Sequence, residues 1–372
     1  MRIEALTFLR FFAAVTVVFF HFARGLYPGE AYARFQNLGP EMVTFFFALS
    51  GFVMMLAHHA KPALSVGKYY RARIARIYPV YLVAFLWALY YFGGKAYHYG
   101  GGYELNDTWS VVLGATLLQS WVPPYPMSLN APAWSLSVEA FFYLSFPLVL
   151  LWVRRRQVSP RIFFGWALGF YLVTQGVLSW LLATQYVAPH VARTHDLVFY
   201  FPLSHFCSFV LGMAGGHLFT TRPELFRHRG WKPTLALGGA FLATCAALYF
   251  QPEIASFSPV PLAYDASFYS PLFILFILTV AGADNLATRG LSWKPLVILG
   301  NASYALYILQ RPAFFWYGRN LARNFPDPQQ RFWVYLGLLV VLSVVVYYLV
   351  EKPAQRLLLR VLRVRRASGH AQ

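Results

Sequence analysis

The sequence predicts an all-α integral membrane protein of about ten transmembrane helices with both termini in the cytoplasm. Three observations predict it. First, 58% of the 372 residues are hydrophobic and only 12% are charged, too little charge for the wetted surface of a soluble globule of this size. Second, apolar stretches of about 17 to 25 residues, the length that crosses a bilayer as a helix, recur near 5–26, 41–59, 77–94, 133–153, 162–184, 198–219, 233–250, 267–284, 296–316 and 331–350. Third, ten crossings put 22 of the 31 Lys and Arg residues on cytoplasmic segments and 8 on the far side, with Arg10 inside the membrane, the asymmetry that sets orientation.

The first run ends in Phe20-His21-Phe22-Ala23-Arg24, without a small-x-small cleavage pattern, and Arg10 interrupts it; it reads as a retained span rather than a signal peptide. A further apolar stretch near 108–122 closes on Trp121-Val122-Pro123-Pro124. Were it to cross, Arg154, Arg155 and Arg156 would lie opposite the Lys68 to Arg76 cluster, so it is expected to be re-entrant or interfacial. Residues 1–355 form one membrane domain, and 356–372 a basic cytoplasmic tail resting against anionic lipid. The net charge of +18 sits in short clusters between apolar runs, which points to topology and not to a nucleic-acid-binding face. Cys207 and Cys245 lie far apart in apolar runs, so neither a disulfide framework nor a metal site is expected.

Ionisable residues inside spans are costly and mark candidate sites. Arg10 and His21 share the first span; eleven residues at ~100° each bring both to one face, about 16 Å apart along the axis. A buried arginine there calls for an anionic partner such as phosphate, or snorkels to the headgroups. Ser135, Glu139 and Tyr143 form an i, i+4, i+8 stripe, and Glu139 is expected at the depth of His21, where a carboxylate could orient an imidazole base or else pair with an arginine. Arg73 and Arg76, three apart in the loop between the second and third spans, could grip a phosphorylated ligand or serve topology alone. The Ser50-Gly51 step in a Phe-rich span reads as close helix packing, or as room for a thin ligand tail.

These segments together resemble the acyltransferase-3 family of bacterial membrane O-acyltransferases. Five landmarks stand in the family's order over nearly the whole chain: LRFFAAVTVVFFHF with Arg10 and His21, FFFALSGF, RARIARIYPVYL, WSLSVEAFFYLSFPL with Glu139, and LGNASYALYILQRP followed by VEKPAQRLL. The resemblance implies a multi-pass enzyme of the bacterial inner membrane that transfers an acyl group, acetyl by expectation, from cytoplasmic acyl-CoA to a hydroxyl of a cell-surface or exopolysaccharide sugar, which can be lipid-linked. It implies His21 and Glu139 as catalytic residues and Arg10, Arg73 and Arg76 as acyl-CoA-binding residues. No permanently bound cofactor is expected. Ser50, Ser135, Tyr143, Tyr304 and Gln310 are candidates to line the substrate path. Two positions depart from the pattern: Thr44 stands where many members have aspartate, and Gln310 where many have histidine, and both are expected to be structural or to contact substrate. A transporter or flippase of lipid-linked saccharide is the rival class, although no internal repeat is visible.

Overall fold

The computed structural model describes residues 3–59, 61, 63–93, 97–99, 102–104, 106–184, 192–226 and 231–358. Among the described residues fifteen α-helices follow one another: α1 Glu4–Phe22, α2 Glu30–Gln36, α3 Gly39–His58, α4 Val66–Phe92, α5 Thr108–Thr116, α6 Trp134–Arg155, α7 Pro160–Ala183, α8 Ala192–Phe199, α9 Pro202–Thr221, α10 Lys232–Tyr249, α11 Gln251–Phe257, α12 Ser270–Gly282, α13 Leu286–Leu291, α14 Lys294–Asn320 and α15 Pro328–Val346. A π-helical turn, Tyr347–Glu351, continues α15. Between α4 and α5 lies a small antiparallel hairpin, β1 Tyr97–Tyr99 with β2 Gly102–Glu104. From residue 359 onward the expected basic tail lies outside the described residues.

Seven helical segments among the described residues are long and apolar enough to cross a membrane: Glu4–Phe22, Glu30–His58, Val66–Phe92, Ala131–Arg155, Pro160–Ala183, His195–Thr221 and Pro328–Leu358. The other three apolar runs also fold as helix, each with a reason for falling short. The α10–α11 pair bends by 67° at the residues before Pro252, where the proline ring disfavours helical geometry. Helix α12 has 13 residues, about 20 Å against a hydrocarbon core of about 30 Å. Helix α14 has the length but carries Asn301, Gln310, Arg311 and Pro312. The stretch near 108–122 folds as nine-residue α5 and a 3₁₀ turn, Gln119–Trp121, too short to cross. The chain then runs buried from Ser128 to Val138, so α6 begins inside the protein.

Exposed Ile162, Trp166, Phe170, Val173, Val177 and Trp180 recur every three or four residues along α7, the stripe a helix turns toward lipid. Close backbone packing joins α3 to α9. A Cβ on Gly51 would stand 2.0 Å from the Phe209 carbonyl oxygen, and one on Gly212 would stand 2.1 Å from that of Ala48. Small residues let the two backbones touch, so the packing expectation for the Ser50-Gly51 step holds. Because the obstacle is backbone, Gly212→Leu is expected to cost at least about 3 kcal/mol and to abolish accumulation of monodisperse, detergent-solubilised protein; size-exclusion chromatography reads the result.

Candidate active site

Helices α1, α3, α4, α6 and α14 enclose a cavity of about 220 Å³. Arg10 comes from α1, Ser50 and His58 from α3, Arg73 and Arg76 from α4, Ser135, Glu139 and Tyr143 from α6, and Tyr304 and Tyr307 from α14. Eight of the ten residues singled out in the sequence thus converge on one chamber; His21 and Gln310 do not line it.

The i, i+4 spacing on α6 sets the centre of the chamber. Tyr143 Oη donates to Glu139 Oε1, and Ser50 Oγ donates to the same oxygen at 3.3 Å. Tyr69 Oη holds the Tyr143 carbonyl at 3.1 Å. Arg73 lies 5.6 Å from the Tyr143 ring centroid, and its Nη1 touches Met54 Sδ at 3.6 Å. Its Nε is buried without a partner. Arg10 is within electrostatic range of Arg76 and Glu139. Ser135 Oγ donates to the Pro132 carbonyl at 3.0 Å, so Tyr307 Oη is the donor in its 2.8 Å contact with that serine. Tyr304 Oη is committed to the Ile77 carbonyl at 2.8 Å.

Glu139 groups with Arg10 and the α4 arginines around the cavity, and α6, which carries it, starts within the buried 128–138 segment. Half-buried His21 packs its ring on Phe20 and Phe22, with centroids at 5.1 and 5.7 Å. The nearby charge that acts on it is that of Arg311.

An acyltransferase-domain family model matches residues 3–352. The chain belongs to the acyltransferase-3 family. It is 32% identical to Acyltransferase MdmB of Streptomyces mycarofaciens over 323 residues, which is 83% of this chain and 78% of that protein. It is 22% identical to Peptidoglycan O-acetyltransferase OatA of Listeria monocytogenes serovar 1/2a, over 82% of this chain and 48% of OatA, so it spans about half of that relative's length. No solved structure matches.

In this acyltransferase the two departing positions have structural partners. Thr44 Oγ1 accepts from the Ser267 backbone N–H at 3.3 Å. Gln310 Nε2 donates to the Tyr307 carbonyl, and Tyr335 Oη donates to the Gln310 carbonyl, both at 2.8 Å. Three further residues escape a reading of the sequence. His58 lines the cavity with Nδ1–H donated to the Met54 carbonyl at 2.9 Å, which leaves the Nε2 lone pair as acceptor. Arg311 is 2% exposed and stacks over Phe92 at 4.5 Å. Glu351, 2% exposed, places its carboxylate within electrostatic range of Arg76 and Arg10. As the last acid before the tail it could have been flagged by its place at the end of an apolar run.

The Tyr143 hydroxyl is the nearest donor to Glu139. Tyr143→Phe keeps the ring beneath Arg73 and removes that bond, so transfer is expected to fall about tenfold with protein yield unchanged; steady-state kinetics on matched membrane preparations checks it.

Proposed function

We propose that this acyltransferase moves an acyl group, acetyl in the first instance, from cytoplasmic acyl-CoA to a hydroxyl of a cell-surface or exopolysaccharide sugar at the bacterial inner membrane. The observation that carries the reading is the chamber itself: three arginines, one with a buried unfilled donor, share a membrane-buried cavity with a hydrogen-bonded carboxylate. Arginine clusters suit phosphate oxygens, which acyl-CoA brings. The sugar acceptor is supported by the name of OatA, a peptidoglycan O-acetyltransferase. Ten spans, with both termini cytoplasmic, follow if α10, α12 and α14 cross together with the seven apolar segments; the basic residues near Lys68–Arg76 and Arg154–Arg156 then share the cytoplasmic side.

In this mechanism Arg10, Arg73 and Arg76 hold the donor phosphates. The pantetheine arm reaches about 15 Å toward His21, close to the rise of about 16 Å between Arg10 and His21. His21 takes the proton of the sugar hydroxyl as its oxygen attacks the thioester carbonyl carbon; the carbon–sulfur bond breaks, and the CoA thiolate leaves and is reprotonated. By the alternative route His21 carries the acyl group before the sugar does. Arg311, whose charge acts on His21, stabilises the oxyanion of the tetrahedral intermediate. Glu139, held by Tyr143 and Ser50, fixes the polar wall along which the arm passes.

The test is purified protein in nanodiscs with acetyl-CoA and envelope polysaccharide. One CoA thiol released per O-acyl group formed is the expected result. Movement of unmodified lipid-linked saccharide without CoA release would overturn the proposal in favour of a flippase. One CoA released per protein molecule before acceptor is added would select the acyl-histidine route.

A further inference from the structure

A second cavity lies at the end of the bundle that bears Arg154, Arg155, Arg156 and Arg161, outside the chamber just described. It has about 380 Å³ and is lined by His59 from the end of α3, Arg154 from the end of α6, Gln157 from the turn that follows, Ser159 from the start of α7, and His217 from α9. No step of acyl transfer uses it.

His217 decides what it can hold. Its ring is packed 6.0 Å from Phe163 and 4.6 Å from His59 between centroids, and the residue is 4% exposed. Nε2 lies 3.1 Å from the Val158 carbonyl. A carbonyl only accepts, so the neutral ring carries its hydrogen on Nε2 and presents a bare lone pair at Nδ1. That Nδ1 is buried and has no partner, and the same is true of His59 Nδ1. Buried polar atoms in folded proteins are almost always paired, so the cavity wants an occupant that donates a hydrogen bond.

The remaining wall wants negative charge. The two N–H groups of Arg154 Nη2 are shared among the carbonyls of His58, His59 at 2.9 Å and Lys61 at 2.8 Å, which caps α3 and fixes a guanidinium at the cavity. The 24-residue helix α7 opens at the cavity, with Ser159 as N-cap, so its dipole adds positive potential. These cations argue against a metal ion on the imidazoles. The occupant must therefore combine an anionic oxygen with an O–H donor. Beside the cavity, Trp152 and Trp166 form a pair with centroids 5.4 Å apart, and both are exposed on the apolar flank of α6 and α7, the side-chain type that settles at headgroup level.

We infer that this cavity binds the headgroup of an anionic phospholipid bearing a glycerol-type hydroxyl, with the phosphodiester on Arg154 and the α7 N-terminus and the hydroxyl donated to His217 Nδ1. Basic pockets between spanning helices are where such headgroups bind. The site locks the ends of α3, α6, α7 and α9 together at the edge of the membrane.

Native mass spectrometry of the full chain released from nanodiscs tests this with phosphatidylglycerol, phosphatidylcholine and inorganic phosphate as probes. Expected is selective retention of phosphatidylglycerol over phosphatidylcholine, weakened about tenfold in His217→Phe, which keeps the aromatic packing. Displacement of the lipid by inorganic phosphate, with phosphate retained by the protein, would keep the phosphate chemistry and assign it to a soluble source. Equal retention of both lipids, or equal retention by the wild type and His217→Phe, would overturn the proposal. So would loss of retention in Arg155→Gln/Arg156→Gln with none in His217→Phe, which would assign the effect to surface charge.

Discussion

Replacing His21 by alanine is expected to lower acyl transfer by at least about a hundredfold, the usual contribution of a positioned general base, and to background if the imidazole itself carries the acyl group. The protein should still insert and accumulate. His21 is half-buried, its ring lies against Phe20 and Phe22, and the stack of Phe22 on Phe314, with centroids at 4.2 Å, does not involve the imidazole. The comparison is CoA thiol release and O-acyl content of the glycan, normalised to protein in the membrane fraction. Rates near those of the unmodified enzyme would remove the imidazole from the chemistry and turn attention to His58, whose Nε2 lone pair belongs to the chamber wall.

The second large effect belongs to the donor end. Hydrogen bonds to charged groups contribute about 1.5–3 kcal/mol each, so Arg73→Ala with Arg76→Ala is expected to raise KM for acetyl-CoA by roughly a hundredfold or more while kcat at saturating donor changes much less. The two positions are not equivalent. Arg73 rests on the Tyr143 ring and Met54, contacts an alanine loses cheaply. Arg76 is within electrostatic range of the buried carboxylate of Glu351, and its removal leaves that charge less compensated, so Arg76→Ala alone is expected to cost more than Arg73→Ala alone. Initial rates over a range of acetyl-CoA concentrations separate KM from kcat. An unchanged donor dependence would return this arginine pair to a topological role.

The helices were legible because apolar length is a local property: each of the ten apolar runs coincides with a helix, and α5 proved too short to cross, in keeping with the parity argument. Convergence of Arg10, Arg73, Arg76 and the Ser135–Glu139–Tyr143 stripe was legible because every buried charge needs company. The buried start of α6 was not. The 119–133 segment folds back under the helix, with Ser120 Oγ donating to the Trp134 carbonyl of α6 and Gln119 Nε2 to the Ala133 carbonyl just before it, a tertiary arrangement that no periodicity records. Glu351 and Arg311 were missed for a related reason: their partners, Arg10 and Arg76 for one and His21 and Phe92 for the other, lie more than two hundred residues away along the chain.

The glycine contact between α3 and α9 also limits how the chamber can change. Ser50 is the neighbour of a residue pressed against main chain, so that wall behaves as a fixed jaw whose position side-chain exchange cannot adjust. The opposing jaw, made by Leu136, Tyr304 and Tyr307, consists of side chains that can be trimmed or enlarged. The bore of the passage for the donor arm would thus evolve through α6 and α14, and a swap of Tyr307 for a smaller residue is the economical place to widen it.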